Sequence, residues 1–186
     1  MMTKPLFLIV APSGTGKTTL ADMLEEQCGL KQLASYTTRK PRYEGEKGHT
    51  FISDEEFDAL EDIVAFTNYN NHRYCATASQ LDKSQIYVVD IPGVESMLNF
   101  YTSDRKIIIF YLSANVHTKI TRMKMRGDSD SKILDRIHND HAFNWLEELE
   151  KVVGDDERAK IIFIDANKDK NNVFKDVLDY VKIYKG

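Results

Sequence analysis

The sequence predicts an α/β fold, a three-layer sandwich in which a parallel central sheet lies between layers of helices, and three observations carry that prediction. An apolar run, Leu6-Phe7-Leu8-Ile9-Val10, empties into a glycine-bearing loop and then into a helix-forming segment. Further apolar runs at about 85–90, 106–112 and 160–165 alternate with stretches of helical periodicity. Strands spaced by helices pair in parallel, because a connection that crosses back over the sheet has room for a helix. The chain has 186 residues, enough for one well-buried core and too few for two full domains.

A hydrophobic fraction of 42% with 29% charged residues is ordinary for a folded domain and excludes disordered, collagen-like and disulfide-scaffold classes. The net charge of −4 disfavours nucleic acid as a partner and leaves small phosphorylated ligands for the local basic clusters. Cys28 and Cys75 stand far apart in no metal-ligand spacing, which suits reduced thiols in a cytoplasmic protein. The apolar start at residues 5–11 is too short to span a membrane and lacks a signal-peptide cleavage pattern. It is expected to be the first strand, and no membrane association is expected.

The first loop reads Ala11-Pro12-Ser13-Gly14-Thr15-Gly16-Lys17-Thr18-Thr19. Gly14 and Gly16 let the backbone wrap closely enough for successive N–H groups to face phosphate oxygens. Lys17 adds a mobile positive charge, and Thr18 offers a hydroxyl to Mg²⁺. Loops of this kind usually begin with glycine, where this chain has Ala11, but the strand before and the helix after supply the right context. Leu20, Met23, Leu24 and Cys28 then recur at helical spacing, and Gly29 sits where a helix stops.

Residues 31–37 look like a short strand. The stretch from Thr37 to Gly48 has no periodicity and carries Arg39, Lys40, Arg42 and Lys47, so it reads as a loop or flap. Thr50-Phe51-Ile52 is a strand end, and Ser53-Asp54-Glu55-Glu56 is a capping box opening a short helix over 54–62. Residues 63–77 alternate and are rich in aromatic and β-branched types, which predicts two strands around Asn70-Asn71. Residues 36–80 together form an excursion from the main sheet.

Gln85 to Asp90 is an apolar strand closing on a carboxylate, followed by Pro92-Gly93 and a helix to about Tyr101. Lys106 to Leu112 is another buried strand, and Ser113 is expected to cap a helix whose Val116, Ile120 and Met123 share one face. Gly127-Asp128-Ser129-Asp130-Ser131 is polar and turn-like, flanked by Arg122, Arg126 and Arg136, the composition of a mobile lid. A long helix over about 131–153, a strand from Lys160 to Asp165 and a terminal helix striped by Val173, Phe174, Val177, Leu178 and Val181 complete the chain.

Beyond the phosphate loop, the basic flap is the next clue to chemistry. Arg39 and Arg42 lie three apart beside Ser35 and Tyr74, and planar guanidinium forks suit bidentate capture of a second phosphate; the plainer alternative is a solvated basic loop. No general base stands near these groups, and one reaction needs none. A phosphate monoester has a second pKa of about 6, so a nucleoside monophosphate is already an ionised nucleophile at neutral pH. The protein must then align two phosphates, offset their repulsion and exclude water. Lys17, Mg²⁺ and the lid-region arginines fit that task, unless the arginines are ordinary helix-surface charges. Asp90 can hold a metal-bound water or simply cap the helix before Pro92. His138 and His141 share a helix face but lack a third ligand, which makes them surface residues rather than a metal site.

With these segments placed, the chain resembles the guanylate kinase family along nearly its whole length. That family follows Pro-Ser-Gly-x-Gly-Lys with Ser-x-Thr-Thr-Arg-x-Pro-Arg, here Pro12 to Lys17 and Ser35-Tyr36-Thr37-Thr38-Arg39-Lys40-Pro41-Arg42. Its lid carries Arg-Gly and a later arginine, matched by Arg126-Gly127 and Arg136. The resemblance implies one domain with a core (1–35, 81–125 and 137–186), a monophosphate-binding region (36–80) and a lid (126–136) that close around both substrates. It implies transfer of the ATP γ-phosphoryl to GMP or dGMP with Mg²⁺, in a monomer or homodimer. Ser13, Gly14, Thr15, Gly16, Lys17, Thr18 and Thr19 would hold ATP, with Thr18 on the metal. Lys17, Arg126 and Arg136 would be catalytic, and Ser35, Arg39, Arg42, His49, Tyr74 and Asp90 would hold the acceptor.

The departures concentrate at the base. His49 stands where the family has a phosphate-binding tyrosine. Ala65 replaces its base-reading glutamate, Ala76 with Thr77 beside it replaces a hydroxyl, and Pro92 replaces an aspartate in a segment about two residues short. Those changes keep open a related kinase with a different nucleotide or phosphorylated acceptor, and a non-catalytic binding module of the same fold.

Overall fold

A computed structural model describes residues 4–141 and 144–185, with His141 described by its backbone alone. Strand β1 (Leu6–Val10) is the centre of the core, and none of its five side chains is exposed. Because strand side chains alternate, Leu6, Leu8 and Val10 face one apolar layer while Phe7 and Ile9 face the other. This double burial explains why β1 reads as an unbroken apolar run instead of an alternating one.

Helix α1 (Lys17–Cys28) follows the phosphate loop and closes on Gly29, which adopts φ 61° and donates its N–H to the Glu25 carbonyl at 3.0 Å. The predicted strand at 31–37 shrinks to β2 (Ser35–Thr37), with Gln32 making only an isolated bridge to Ile86. β3 (His49–Phe51) pairs parallel to β2. The capping box forms as expected, with Ser53 and Glu56 each bonding the other's main-chain N–H, but helix α2 (Asp54–Asp58) stops four residues earlier than the expected 62. β4 (Ile63–Tyr69) and β5 (His72–Thr77) form a hairpin turning through Asn70 and Asn71 at φ 49° and 59°, the left-handed pair that tight hairpins require.

A second capping box, Thr77 with Gln80, opens the unexpected helix α3 (Ala78–Asp82). β6 (Ile86–Val88) leads to α4 (Ile91–Phe100), and β7 (Ile107–Ser113) to α5 (Val116–Met125). The cap of α5 is Asn115, not Ser113; Ser113 is spent in the strand ladder, where its carbonyl accepts from Ala166 at 2.8 Å. The expected long helix is two: α6 (Asp130–His141) and α7 (Trp145–Val153), the latter capped by Asn144. β8 (Ala159–Asp165) and α8 (Lys170–Lys185) follow.

The central sheet has the order β6-β1-β7-β8, with every pairing parallel. Helices α4 and α7 cover one face and α1 and α8 the other. The second sheet, β3-β2-β5-β4, docks on α4 through β4, where the Phe66 N–H donates to Ser96 Oγ at 3.0 Å. Loops leaving the carboxyl ends of β1 and β6 therefore open toward the second sheet, at the end of a parallel sheet where ligands bind.

Candidate active site

Between β1 and α1 the chain makes two left-handed steps, Gly14 at φ 76° and Gly16 at φ 104°. Gly14 is needed for space as well: a Cβ there would lie 2.9 Å from the Lys119 carbonyl oxygen. Thr15 closes the loop from within, donating to the Pro12 carbonyl at 2.9 Å. Lys17 opens α1 and turns back over the loop to donate to the Ala11 and Pro12 carbonyls at 2.6 and 3.0 Å. Thr18 and Thr19 are exposed on the first turn. A helix start leaves N–H groups without intrahelical partners, and with the lysine it has the chemistry to hold a polyanion. Burial lowers the Lys17 ammonium to about 8 although the Asp140 and Asp90 carboxylates favour its charge; Arg136 and Arg126 are close enough to oppose it. The three expected catalytic cations therefore share one electrostatic neighbourhood.

The flap builds a second cation group. Arg39 donates from Nε to the Tyr74 hydroxyl at 3.2 Å and lies over the Phe51 ring at 5.3 Å. Its two terminal nitrogens reach Glu46 at 3.1 and 2.8 Å, and the Arg42 N–H reaches the same carboxylate at 2.7 Å. Burial opposes the charge on Glu46, but the Arg39 and Arg42 contacts outweigh it and hold the carboxyl below its ordinary range. Glu46 was not anticipated as part of the site, although its place four residues after Arg42 is the one local signal that marks it.

Ser35 and His49 are register partners on β2 and β3, and Ser35 Oγ is hydrogen-bonded to His49 Nδ1 at 2.9 Å. The His49 ring stands 5.7 Å from that of Tyr74, edge-on. Burial and the Arg39 guanidinium push the imidazole down to about 4, so it is neutral at assay pH. The unfolded ring titrates at about 6.5, so between the two values the unfolded chain binds the proton and the native chain does not. Stability should fall as pH drops from about 6.5 to about 4, and His49→Gln should reduce that slope in urea titrations. A variant with the full slope would show that the ring is not held neutral.

The lid-region arginines separate. Arg126 bonds Asp128 through Nε at 3.2 Å and through a terminal nitrogen, and Arg136 approaches the same carboxylate at 3.6 Å. Arg122 belongs to neither group. It donates to the Thr15 and Lys168 carbonyls at 2.9 Å each, bracing the phosphate loop against the segment before α8. A cleft of about 620 Å³ runs between the flap and α6, with Arg39, Arg42 and Tyr74 on one wall and Arg136 and His138 on the other. Among the described residues no cluster of histidine, cysteine or carboxylate side chains has the makings of a metal site, and the side chain of His141 lies outside them.

Asp90 caps α4, its carboxylate accepting the Gly93 N–H at 2.9 Å, so the capping alternative describes its bonded role. Burial raises its carboxyl, while Gly93, the Thr67 hydroxyl and Lys17 favour the charged form. At the positions expected to meet the base, Ala65 and Ala76 are register partners, both buried in the apolar cluster that also holds Tyr87. The Thr77 hydroxyl is committed to capping α3. Thr67, paired with Tyr74 across the hairpin, shares the face of Ala65 and was missed in the sequence. Cys28 and Cys75 are free thiols.

Among the described residues no helix is long and apolar enough to cross a membrane. The chain matches the family described as "Guanylate kinase" over residues 2–162. Guanylate kinase of Porphyromonas gingivalis is 34% identical over 151 residues, covering 73% of this chain and 79% of the relative. That of Neisseria gonorrhoeae is 30% identical over 174 residues, covering 81% and 83%. The crystal structure of guanylate kinase from Anaplasma phagocytophilum superimposes with a TM-score of 0.62 at 16% identity, over 99% of this chain and 87% of that one, and so shares its fold. A match spanning most of the sequence, with a relative 34% identical over 73% of the chain and a fold shared with a guanylate kinase, places the chain in the guanylate kinase family, enzymes that transfer a phosphoryl group from ATP to GMP.

Proposed function

We propose that this chain transfers the γ-phosphoryl of ATP to a phosphate oxygen of GMP or dGMP, releasing ADP and forming GDP or dGDP, with Ser13 to Thr19 holding ATP and Ser35, Arg39, Arg42, His49, Tyr74 and Asp90 holding the acceptor. The observation that supports this most directly is two separate cation groups, Lys17 on the phosphate loop and Arg39 with Arg42 on the flap, with Arg136, whose charge is felt at Lys17, facing the flap pair across the cleft. Arg126 and Arg136 lie within the field of Lys17 and would offset charge on the phosphoryl in flight. Thr18, exposed at the first turn, has the hydroxyl and the access to hold Mg²⁺. When bound there, Mg²⁺ would supply positive charge to offset that of the phosphates. The free thiols fit work in a reducing cytoplasm.

The region 36–80 and the lid 126–136 would close on the core to expel water from meeting phosphates. Saturation with a bisubstrate analogue should slow hydrogen exchange in both segments; unchanged exchange in both would remove this division of the chain.

Acceptor choice is the property on which Ala65 and Ala76 bear most. A site that hydrogen-bonds its substrate rejects an analogue lacking the partner group by about 10⁴–10⁵, whereas apolar shape alone gives about 10–200-fold. With Ala65 and Ala76 forming an apolar floor and Thr77 committed elsewhere, guanine's donors meet no carboxylate at the expected place. GMP and dGMP should therefore be preferred over AMP by less than about 200-fold in kcat/KM, and Ala65→Glu should sharpen that preference. A panel of ribo- and deoxynucleoside monophosphates with ATP and Mg²⁺ tests both statements. Diphosphate formation from none of them would remove the kinase reading, and a preference above about 10³-fold would show that other groups read the base.

A further inference from the structure

Lys119 and Asp140 form an ion pair at 3.4 Å in which each side chain is only 7% exposed. So desolvated a pair adds little net stability over apolar side chains of similar size, which makes its position the more informative property. Lys119 lies in α5, and its main chain packs directly on Gly14 of the phosphate loop. One turn further along the same helix, Arg122 holds the Thr15 carbonyl. Helix α5 is thus fixed to the loop at two points. Asp140 lies in the last turn of α6, beyond the lid, and four residues after Arg136. Residues so spaced project from one helix face. Burial raises the Asp140 carboxyl, while Lys119, Lys17 and the Ser13 N–H favour its charge, so the carboxylate also faces the loop itself.

We propose that Asp140, held by Lys119, is a positioning residue for the ATP half of the site: it pins the face of α6 that carries Arg136 to the phosphate loop and so sets Arg136 against Lys17. The inference rests on the phosphotransferase reading above. Neither member of the pair is assigned to either substrate, and the acceptor clamp lies on another sheet. Disturbing the pair should therefore act on turnover and on the ATP side, not on acceptor binding.

The test uses the full chain with Lys119→Met/Asp140→Leu, which removes both charges at similar volume, and Asp140→Asn, which keeps the shape. Melting temperature, kcat, KM for GMP and calorimetric affinity for a non-hydrolysable ATP analogue are measured for each. The double variant should melt within a few degrees of the parent, lose about 10-fold or more in kcat, as small misplacements of catalytic groups do, and keep KM for GMP within about 2-fold. Asp140→Asn should repeat the kcat loss and stands in if the double variant fails to fold. A folded variant with parental kcat and analogue affinity would overturn the proposal, as would a kcat loss matched by an equal rise in KM for GMP. An inactive parent would instead count against the phosphotransferase reading, while analogue affinity, read without turnover, would still report on the pair.

Discussion

Lys17→Met should lower kcat by at least about 100-fold while the far-UV circular dichroism stays that of the parent. Its ammonium donates to the Ala11 and Pro12 carbonyls of the phosphate loop, and under the proposed function its charge would serve an incoming polyanion more than the core. Methionine keeps the length of the side chain and removes the charge where negative charge develops. The measurement is steady-state turnover at saturating ATP and GMP. Turnover near the parental rate would remove the phosphate-loop assignment.

Arg39→Ala should raise KM for the acceptor by about 10-fold to 100-fold, corresponding to about 1.5–3 kcal/mol for a lost charged hydrogen bond, with little change in KM for ATP. The structure separates it from Arg42→Ala. The Arg39 side chain is 11% exposed and bonded to Glu46 and Tyr74, whereas that of Arg42 is 59% exposed. Removing Arg39 leaves a buried Glu46 carboxylate without its fork, so that variant should also melt at a lower temperature. Arg42→Ala should change KM alone. Equal shifts in both substrates' KM, or none, would take the clamp out of this loop.

What could be read in advance was the chemistry that is local in sequence. Gly14, Gly16, Lys17 and Thr18 are consecutive enough that loop, helix start and cation come from one stretch, and the doubly buried strands declare themselves as apolar runs. Misreadings arose where two local signals competed. Ser113 and Asn115 are both good caps, and only the pairing of β7 with β8 decides that Ser113 belongs to the strand. Helical periodicity runs through 131–153, and it is the Asn144 side chain, bonded to the Glu147 N–H, that starts a new helix within it. Of the carboxylates on the cations, Glu46 shows in the sequence only through its spacing from Arg42, while Asp128 and Asp140 are told from common acidic surface residues by tertiary placement.

Those carboxylates bear on how the enzyme meets charged molecules. Arg39 and Arg42 already carry Glu46, and Arg126 and Arg136 already carry Asp128. Each carboxylate offsets one of the two guanidinium charges beside it, which halves the field that each pair projects before screening takes over at about one Debye length, ~8 Å at physiological ionic strength. Long-range steering of substrate is reduced accordingly, and the encounter rate should depend less on added salt than it would for uncompensated arginines. Phosphodiester chains, with one charge per phosphate, have little to offer in exchange for an internal carboxylate. A terminal phosphate, nearly doubly charged at neutral pH, can compete for the same fork, so selection among anions passes to the moment of contact.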